Sequence, residues 1–419
     1  MRIVIDMQGA QSTGSRNRGI GRYTLSLVKA IVQERDEHEI VLALNSQFVD
    51  TIEPIRTAFD GLLPQENIRV WHALAPTAHV DPSNTQRRQA AELVYEAFLA
   101  SLAPDFIYVT SLFEGLGDGA ITSIHRQQAG IPVAVTLYDL IPYINPVPYL
   151  ENPGVKSWYL DKIEHLRRAD LWLAISESSR QEGIAHLGFS EERSINVSTD
   201  ADADFRSIDI TAVQEQALRR QYGLDKPFVM YTGGIDYRKN IEGLIRAYAR
   251  LPEEVRKAHQ LAIVCSVQPP SREALEQLAR QHGLTAHEIV LTGFVPDADL
   301  LALYNLCKLF VFPSWHEGFG LPALEAMRCG APVIGANTSS LPEVIGWQEA
   351  LFDPHSDEAI ADAMHRGLTD AGYRNALVRH GREQAGTFSW LAGARRALSA
   401  MAPSPPRPSA CVSCPLCAS

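Results

Sequence analysis

No run of about 18 consecutive apolar residues occurs anywhere in the 419 residues, so the sequence offers no membrane-spanning helix. The opening "MRIVIDMQGAQSTG" holds too short an apolar run for a secretory leader, and the expected location is the cytoplasm. Positive charge is scarce. With 38 Lys and Arg against 49 Asp and Glu, the formal net charge of -11 excludes a nucleic-acid partner, which needs a clustered basic excess; only a local basic cleft stays open. Cysteine is also sparse: Cys265, Cys307 and Cys329 stand singly in apolar contexts, where a free cysteine acts as a small hydrophobe. The other three lie in "CVSCPLC" at 411 to 417, a metal-like spacing without a fourth ligand that follows the proline-rich "APSPPRPSA". No metal is expected in that tail. Repeats of solenoid period are absent as well.

What is present is enough apolar material for two cores, 46% hydrophobic residues with 21% charged, in a chain twice the length of an ordinary domain. Two domains imply a cleft. Short apolar runs ("RIVIDM", "EIVLALN", "IRVW", "FIYVTS", "VAVTLYD", "LWLAIS", "INVST") alternate with helical patterns such as "GIGRYTLSLVKAIV", whose Ile20, Tyr23, Leu27 and Ile31 share a face. The alternation pauses in the polar stretch "DADADFRSIDITAVQEQALRRQYGLDKP", read as the junction, and resumes at "FVMYTGG", "LAIVCSV", "EIVLTGFV", "LFVFPS" and "PVIGAN". Runs buried on both sides and separated by helices indicate parallel sheets, hence two doubly wound α/β domains in tandem. The boundaries read from this pattern are 1–205 and 206–387, with a closing helix over 388–401 and an unstructured tail over 402–419.

Ligands of such sheets sit at the carboxyl ends of the strands, so the strand-to-helix loops carry the candidate chemistry. "QGAQSTGSRNRGIGRY" at 8 to 23 is rich in glycine and serine and opens a helix, which suits a phosphate; a flexible surface loop is the equal alternative. "YTGGIDYRKNIEGL" at 231 to 244 places Arg238 and Lys239 immediately before Asn240, an expected helix N-cap. Cations at that helix end are unfavourable unless an anion such as a diphosphate offsets them. "PSWHEGFGLPALEAMRCGAPVI" puts Glu317 in a glycine-lined loop and Glu325 in the first turn of a short helix bounded by Pro322 and Gly330. Both carboxylates can accept from sugar hydroxyls. Together these loops describe a nucleotide-sugar site between two domains.

At these residues the chain resembles the retaining glycosyltransferases of family 4, the group-1 glycosyltransferases with the GT-B fold, and is similar to bacterial mannosyltransferase-like members. The resemblance is carried by "GGIDYRKNIEGLI" and "FPSWHEGFGLPALEAMRCGAPVIGANTSSLPEVIG" and reaches to about residue 400. It implies that Glu317 contacts the donor sugar, Glu325 the ribose, and Arg238 and Lys239 the departing diphosphate. It places Gly19, Gly234, Tyr138 and the run Gly318, Phe319, Gly320 and Leu321 on the donor side, and Asp139 on the acceptor side. Gly234 stands where many members carry an arginine, for which Arg238 substitutes, and Tyr138 stands where many carry a histidine. "AISESSRQEG" at 174 to 183 resembles the family's cleft-facing loop, and "FSWLAGARRALSAM" its closing helix.

The implied reaction moves a sugar, with mannose from GDP-mannose the expected donor and a UDP-sugar the alternative, to a hydroxyl of a growing surface polysaccharide. Configuration is retained, in a same-face substitution. The expected partners are the nucleotide-sugar and an oligosaccharide acceptor of a kind often lipid-linked. "KIEHLRR" at 162 to 168 adds modest charge for a peripheral membrane contact, against the plainer reading of a solvated helix face. No metal cofactor is expected, because the two cations already serve the diphosphate; Asp200, Asp202 and Asp204 read as junction residues and Asp297 and Asp299 as a helix start. The rival functions are a catalytically silent homologue acting as a binding subunit, and an epimerase or phosphorylase on the same architecture.

Overall fold

Apolar runs flanked by amphipathic helices bury themselves best as parallel strands covered on both faces. The computed structural model describes residues 1–126 and 130–402. The cysteine motif at 411 to 417 lies outside the described residues. The first seven strands are β1 (Arg2–Asp6), β2 (Glu39–Asn45), β3 (Ile68–Trp71), β4 (Phe106–Val109), β5 (Val133–Leu137), β6 (Leu171–Ala174) and β7 (Ser194–Asn196). They form one parallel sheet in the order β3-β2-β1-β4-β5-β6-β7.

The second domain repeats the plan with β8 (Phe228–Thr232), β9 (Gln260–Val264), β10 (Ile289–Leu291), β11 (Leu309–Phe312), β12 (Val333–Ala336) and β13 (Leu351–Phe352). These are also parallel, in the order β10-β9-β8-β11-β12-β13. Each sheet therefore reverses its winding once, between β1 and β4 and between β8 and β11. A crevice opens at each switch point, beyond the strands' carboxyl ends.

Two elements differ from the sequence reading. The polar junction contains a helix, Ala212–Tyr222, whose Thr211 and Gln214 form a reciprocal capping box. Only Leu218 and Tyr222 of that helix are buried, so its hydrophobic period is faint although its start signal is clear. Strand β13 has two residues and makes no apolar run at all. In the basic stretch at 162 to 168, Arg167 and Arg168 are exposed, but Lys162 and His165 are 5% and 1% exposed, with the Lys162 ammonium donating to Thr122. Among the described residues, no helix is long and apolar enough to cross a membrane.

The last helix, Trp390–Met401, is capped by Ser389 and returns to the first domain. It packs on the helix Gly19–Gln33, and Arg396 donates to the Val197 carbonyl at 2.7 Å. Gly393 permits this approach, because a β-carbon there would lie 2.6 Å from the same carbonyl. Gly393→Val is therefore expected to lift the helix and destabilise the protein by about 1–3 kcal/mol, read as a lower urea midpoint. An unchanged midpoint would show that the close packing is not used.

Candidate active site

The ends of β8 and β11 meet at the switch point of the second sheet. After β8, Gly233 takes φ of 143°, and a short turn over Tyr237–Lys239 follows, capped by Asp236. Asn240 occupies the N-cap position of the helix Ile241–Ala249 but makes no cap with its side chain. In place of the expected cap, its amide donates to the carbonyls of Pro313 and Pro354, which ties the β8 loop to two others. After β11 the chain reaches Gly320 at φ of 100°, where a β-carbon would also strike Leu341 at 2.6 Å, and enters the helix Leu321–Arg328. Glu317 lies in the loop. Glu325 is the fifth helical residue, in the second turn and not the first.

The two loops converge on one carboxylate. Lys239 Nζ donates to Glu317 Oε1 at 2.6 Å, and Arg238 Nη1 donates to Glu317 Oε2 at 2.8 Å. Arg238 also donates to the His316 carbonyl, and the Glu317 amide donates to Ser339 Oγ. Burial alone would raise the Glu317 carboxyl, but the Lys239 and Arg238 charges outweigh it and lower the pKa to about 2. The group that offsets the cation pair is thus a protein carboxylate. Arg238 also lies 3.6 Å from Asp236, so what the cluster keeps for a ligand oxygen is the remaining N–H donors of Lys239 rather than a surplus of charge.

The first domain closes on the same loop. A β-carbon on Gly318 would lie 2.6 Å from the Tyr138 carbonyl and 3.3 Å from Asp139 Oδ2. Ser176 and Ser179 both donate to the Gly318 carbonyl, at 2.6 and 3.1 Å, and Ser179 also bonds the Tyr138 carbonyl. Asp139 faces this junction, and burial raises its carboxyl above the usual range against the opposing charge of Arg238. The Tyr138 hydroxyl donates to the Thr110 carbonyl, toward its own domain. His316 pairs with Glu182 across the cleft at 2.7 Å; burial would lower this imidazole, but Glu182 raises it. Glu343 accepts from the amides of Glu177 and Ser178, capping a first-domain helix from the second domain.

Glu325 is buried, accepts from the Tyr304 hydroxyl at 2.9 Å and feels Arg22 of the first domain; burial raises its carboxyl. Leu321 approaches Gly19, whose β-carbon would lie 3.8 Å from it, so the first glycine loop reaches the second domain there. Phe319 is turned into the core against Phe388, leaving its backbone to the site. Gly234 has open space, with only the Asp236 amide near a built β-carbon. The loop after β1 is neither slack nor empty. Asp118 takes the Thr13 amide and the hydroxyls of Ser12 and Thr13, and Glu114 takes Ser15. The start of the helix at Gly19 lacks a side-chain cap.

Ser176, Ser179, Glu182, His316 and Glu343 escaped the sequence reading as individuals. The segment 174 to 183 and the quoted run from 313 held the signal, but which hydroxyl clamps which carbonyl depends on domain closure. Asp200 is paired with Arg328, so it is not offered to a metal. Among the described residues, Glu92, Asp161 and His165 cluster at metal-ligand spacing. Arg126 already meets both carboxylates and Lys162 stands beside them, which makes the cluster a poor cation site.

Because Glu317 titrates lower when folded than its ordinary 4.5, its stabilisation is complete above about pH 4.5 and is lost as pH falls toward about 2, roughly 3 kcal/mol in all. Glu317→Gln should lack this acid step and be less stable at neutral pH by about 3–5 kcal/mol, since two buried cations lose their partner. Urea titrations between pH 3 and 7 check this; parallel profiles for the two proteins would refute it. Gly318→Ala should force the domains apart at Tyr138, seen as a larger radius of gyration by small-angle scattering and faster proteolysis between the domains. An unchanged scattering profile would deny Gly318 that role.

Comparison with known proteins adds lineage to this geometry. The family described as "Glycosyl transferases group 1" matches residues 214–384, and the "Glycosyl transferase 4-like domain" matches residues 18–196. The chain is 41% identical over 399 residues to the serotype-specific mannosyltransferase WbdA of Escherichia coli, covering 95% of this chain and 47% of that protein. It thus spans about half the length of that relative. It is 30% identical to the O-antigen chain mannosyltransferase B of Escherichia coli, covering 89% of this chain and 92% of the relative. Among solved structures, Anabaena Alr3699/HepE in complex with UDP-glucose superposes with a TM-score of 0.66 at 18% identity, over 95% of this chain and 99% of that one. WaaG, a glycosyltransferase involved in lipopolysaccharide biosynthesis, gives 0.63 at 15% identity, over 96% and 99% of the two chains. With both halves matched and a full-length relative at this identity, the chain belongs to the group 1 glycosyltransferases, built on the two-domain GT-B fold.

Proposed function

We propose that the chain is a retaining mannosyltransferase, transferring mannose from GDP-mannose to a hydroxyl of a growing, lipid-linked bacterial surface polysaccharide without a metal ion. The sugar and the polysaccharide acceptor follow the names of the mannosyltransferase relatives; the GDP carrier and the lipid link rest on the sequence resemblance alone. The observation that carries the chemistry is Glu317, held ionised between Arg238 and Lys239 at the switch point and facing the first domain across Gly318. In this reading the bond from the anomeric carbon to the diphosphate oxygen breaks as the bond to the acceptor oxygen forms on the same face. The acceptor proton passes to the departing phosphate oxygen. Positive charge developing at the sugar is stabilised by Glu317, and negative charge on the diphosphate by Arg238, Lys239 and the uncapped helix start at Gly19.

Both oxygens of Glu317 are engaged by cations, which makes it a poor nucleophile and supports same-face substitution over a covalent intermediate. Asp139 sits on the acceptor side, where its carboxyl can orient the acceptor hydroxyl while the proton passes to the departing phosphate oxygen. Glu325, Gly234 and the backbone of 318 to 321 hold the donor.

The test offers GDP-mannose and UDP-hexoses with a mannoside acceptor, with and without EDTA, and follows nucleotide release and the anomeric configuration of the product by NMR. The expected result is GDP release, acceptor-dependent and insensitive to EDTA, with an α-linked product from the α-linked donor and at least about 10²-fold less turnover in Glu317→Ala. A β-linked product would remove the retaining reading. Failure of every nucleotide-sugar to bind or turn over would favour a silent binding subunit.

A further inference from the structure

Next to the cation cluster lies a cavity of about 790 Å³ that shares only Arg238 with it; Glu317, Lys239, Glu325, Gly19 and Leu321 do not line it. One wall is the first-domain segment 144–149, and the other is formed by Tyr237, Arg238, Trp315, His316 and His355 of the second domain. Its aromatic side chains are held in place. The Trp315 indole N–H donates to the Pro354 carbonyl, His355 stacks on the ring at 5.8 Å and 13°, and Tyr237 meets it edge-on at 4.5 Å. Tyr149 is anchored by its hydroxyl to Asp236. Tyr237 is 63% exposed and Val147 71%, so both walls of the groove present apolar surface.

The charges around this space are already matched. Arg238 is paired with Glu317 and lies 3.6 Å from Asp236, and His316 is paired with Glu182. What remains for a ligand is a set of apolar ring faces with hydrogen-bonding edges. A pyranose has the complementary build, with C–H faces that lie on an aromatic ring and a hydroxyl rim. A membrane surface or an acidic peptide would need unpaired cations instead. The volume lies within the usual range for ligand pockets, roughly 300–1,000 Å³, and exceeds what a single sugar ring fills.

We propose that this groove binds the penultimate sugars of the acceptor, a neutral oligosaccharide whose inner pyranose rings lie on Trp315 and Tyr237 while its terminal hydroxyl is presented at Asp139. This rests on the transferase reading above and adds the acceptor subsite to it. The groove bridges both domains, so an acceptor chain seated there also holds them closed. Selection by length follows: a monosaccharide acceptor reaches the reacting centre without touching the aromatic shelf, and a trisaccharide uses it.

The experiment compares kcat/KM for α-linked mono-, di- and trimannoside acceptors in wild type, Tyr237→Ala, Trp315→Ala and Trp315→Phe, alongside NMR titration of the trimannoside without donor. The expected result is a preference for the trimannoside that falls about tenfold in each alanine variant and persists in Trp315→Phe, which keeps a ring face. Wild-type transfer with a length preference unchanged in both alanine variants would overturn the proposal while leaving the transferase reading intact. Were the wild type to transfer nothing, the transferase reading would fall, and the titration alone would decide the groove. Trimannoside binding lost in both alanine variants supports it; absence of binding to wild type overturns it.

Discussion

A single carboxylate shared by two cations organises this protein. Arg238 and Lys239 are brought to the sheet's switch point by a turn after β8, at a helix start where positive charge is electrostatically disfavoured. Glu317 arrives from the other side of the crevice, after β11. Neither side could be buried alone, since an unpaired charge in such surroundings costs several kcal/mol. The loops after β8 and β11 are therefore interdependent, and the Asn240 amide that joins them through Pro313 and Pro354 secures the same register by neutral bonds. The donors that Lys239 keeps free are presented only where both loops are correctly folded, which couples the geometry of the site to the integrity of the fold.

The second constraint is the absence of a side chain at Gly318. Its bare backbone lets the second domain reach Tyr138 and Asp139, and its carbonyl receives two serine hydroxyls from the first. His316 with Glu182, and Glu343 with the amides of Glu177 and Ser178, add charge-assisted bonds on either side. These are buried and half-buried polar contacts, each of modest net strength. They differ in kind from the apolar packing that fastens the last helix to the first domain through Ala394, Ala397 and Leu398. The domains are thus joined by largely apolar packing at the back and by polar contacts at the site.

Much of this was legible because burial on both faces of a parallel sheet writes itself as apolar runs. Twelve runs quoted from the sequence became strands β1 to β12; β13 did not show because two residues carry no pattern. The loops that matter were found through glycine and charge placed after strands. What stayed hidden was partnership. Arg238 and Lys239 invited an anionic ligand, and nothing local showed that Glu317, 78 residues later than Lys239, would be the anion that meets them first. Lys162 and His165 looked like charge on a wet face, while the three-dimensional packing buries them beneath Thr122 and Ile124. Pair identity between distant loops is a property of topology, and local pattern does not encode it.

The division of labour between the domains follows from where amides remain unanswered. In the first domain, the loop after β1 has the composition of a phosphate cradle, yet Asp118 and Glu114 occupy its amide and hydroxyl donors, so its shape is set internally. A loop already filled by acids repels a diphosphate except at its far end, where the helix from Gly19 starts without a cap and faces Leu321. The second domain holds both cations of the site, Arg238 and Lys239, against Glu317 and Asp236. The first domain then acts by approach: its rigid loop sets how near a helix start and Asp139 come to charge built on the other side. In the proposed function group transfer depends on closure, because the two cations and Asp139 belong to different domains and face each other beside the glycine at 318.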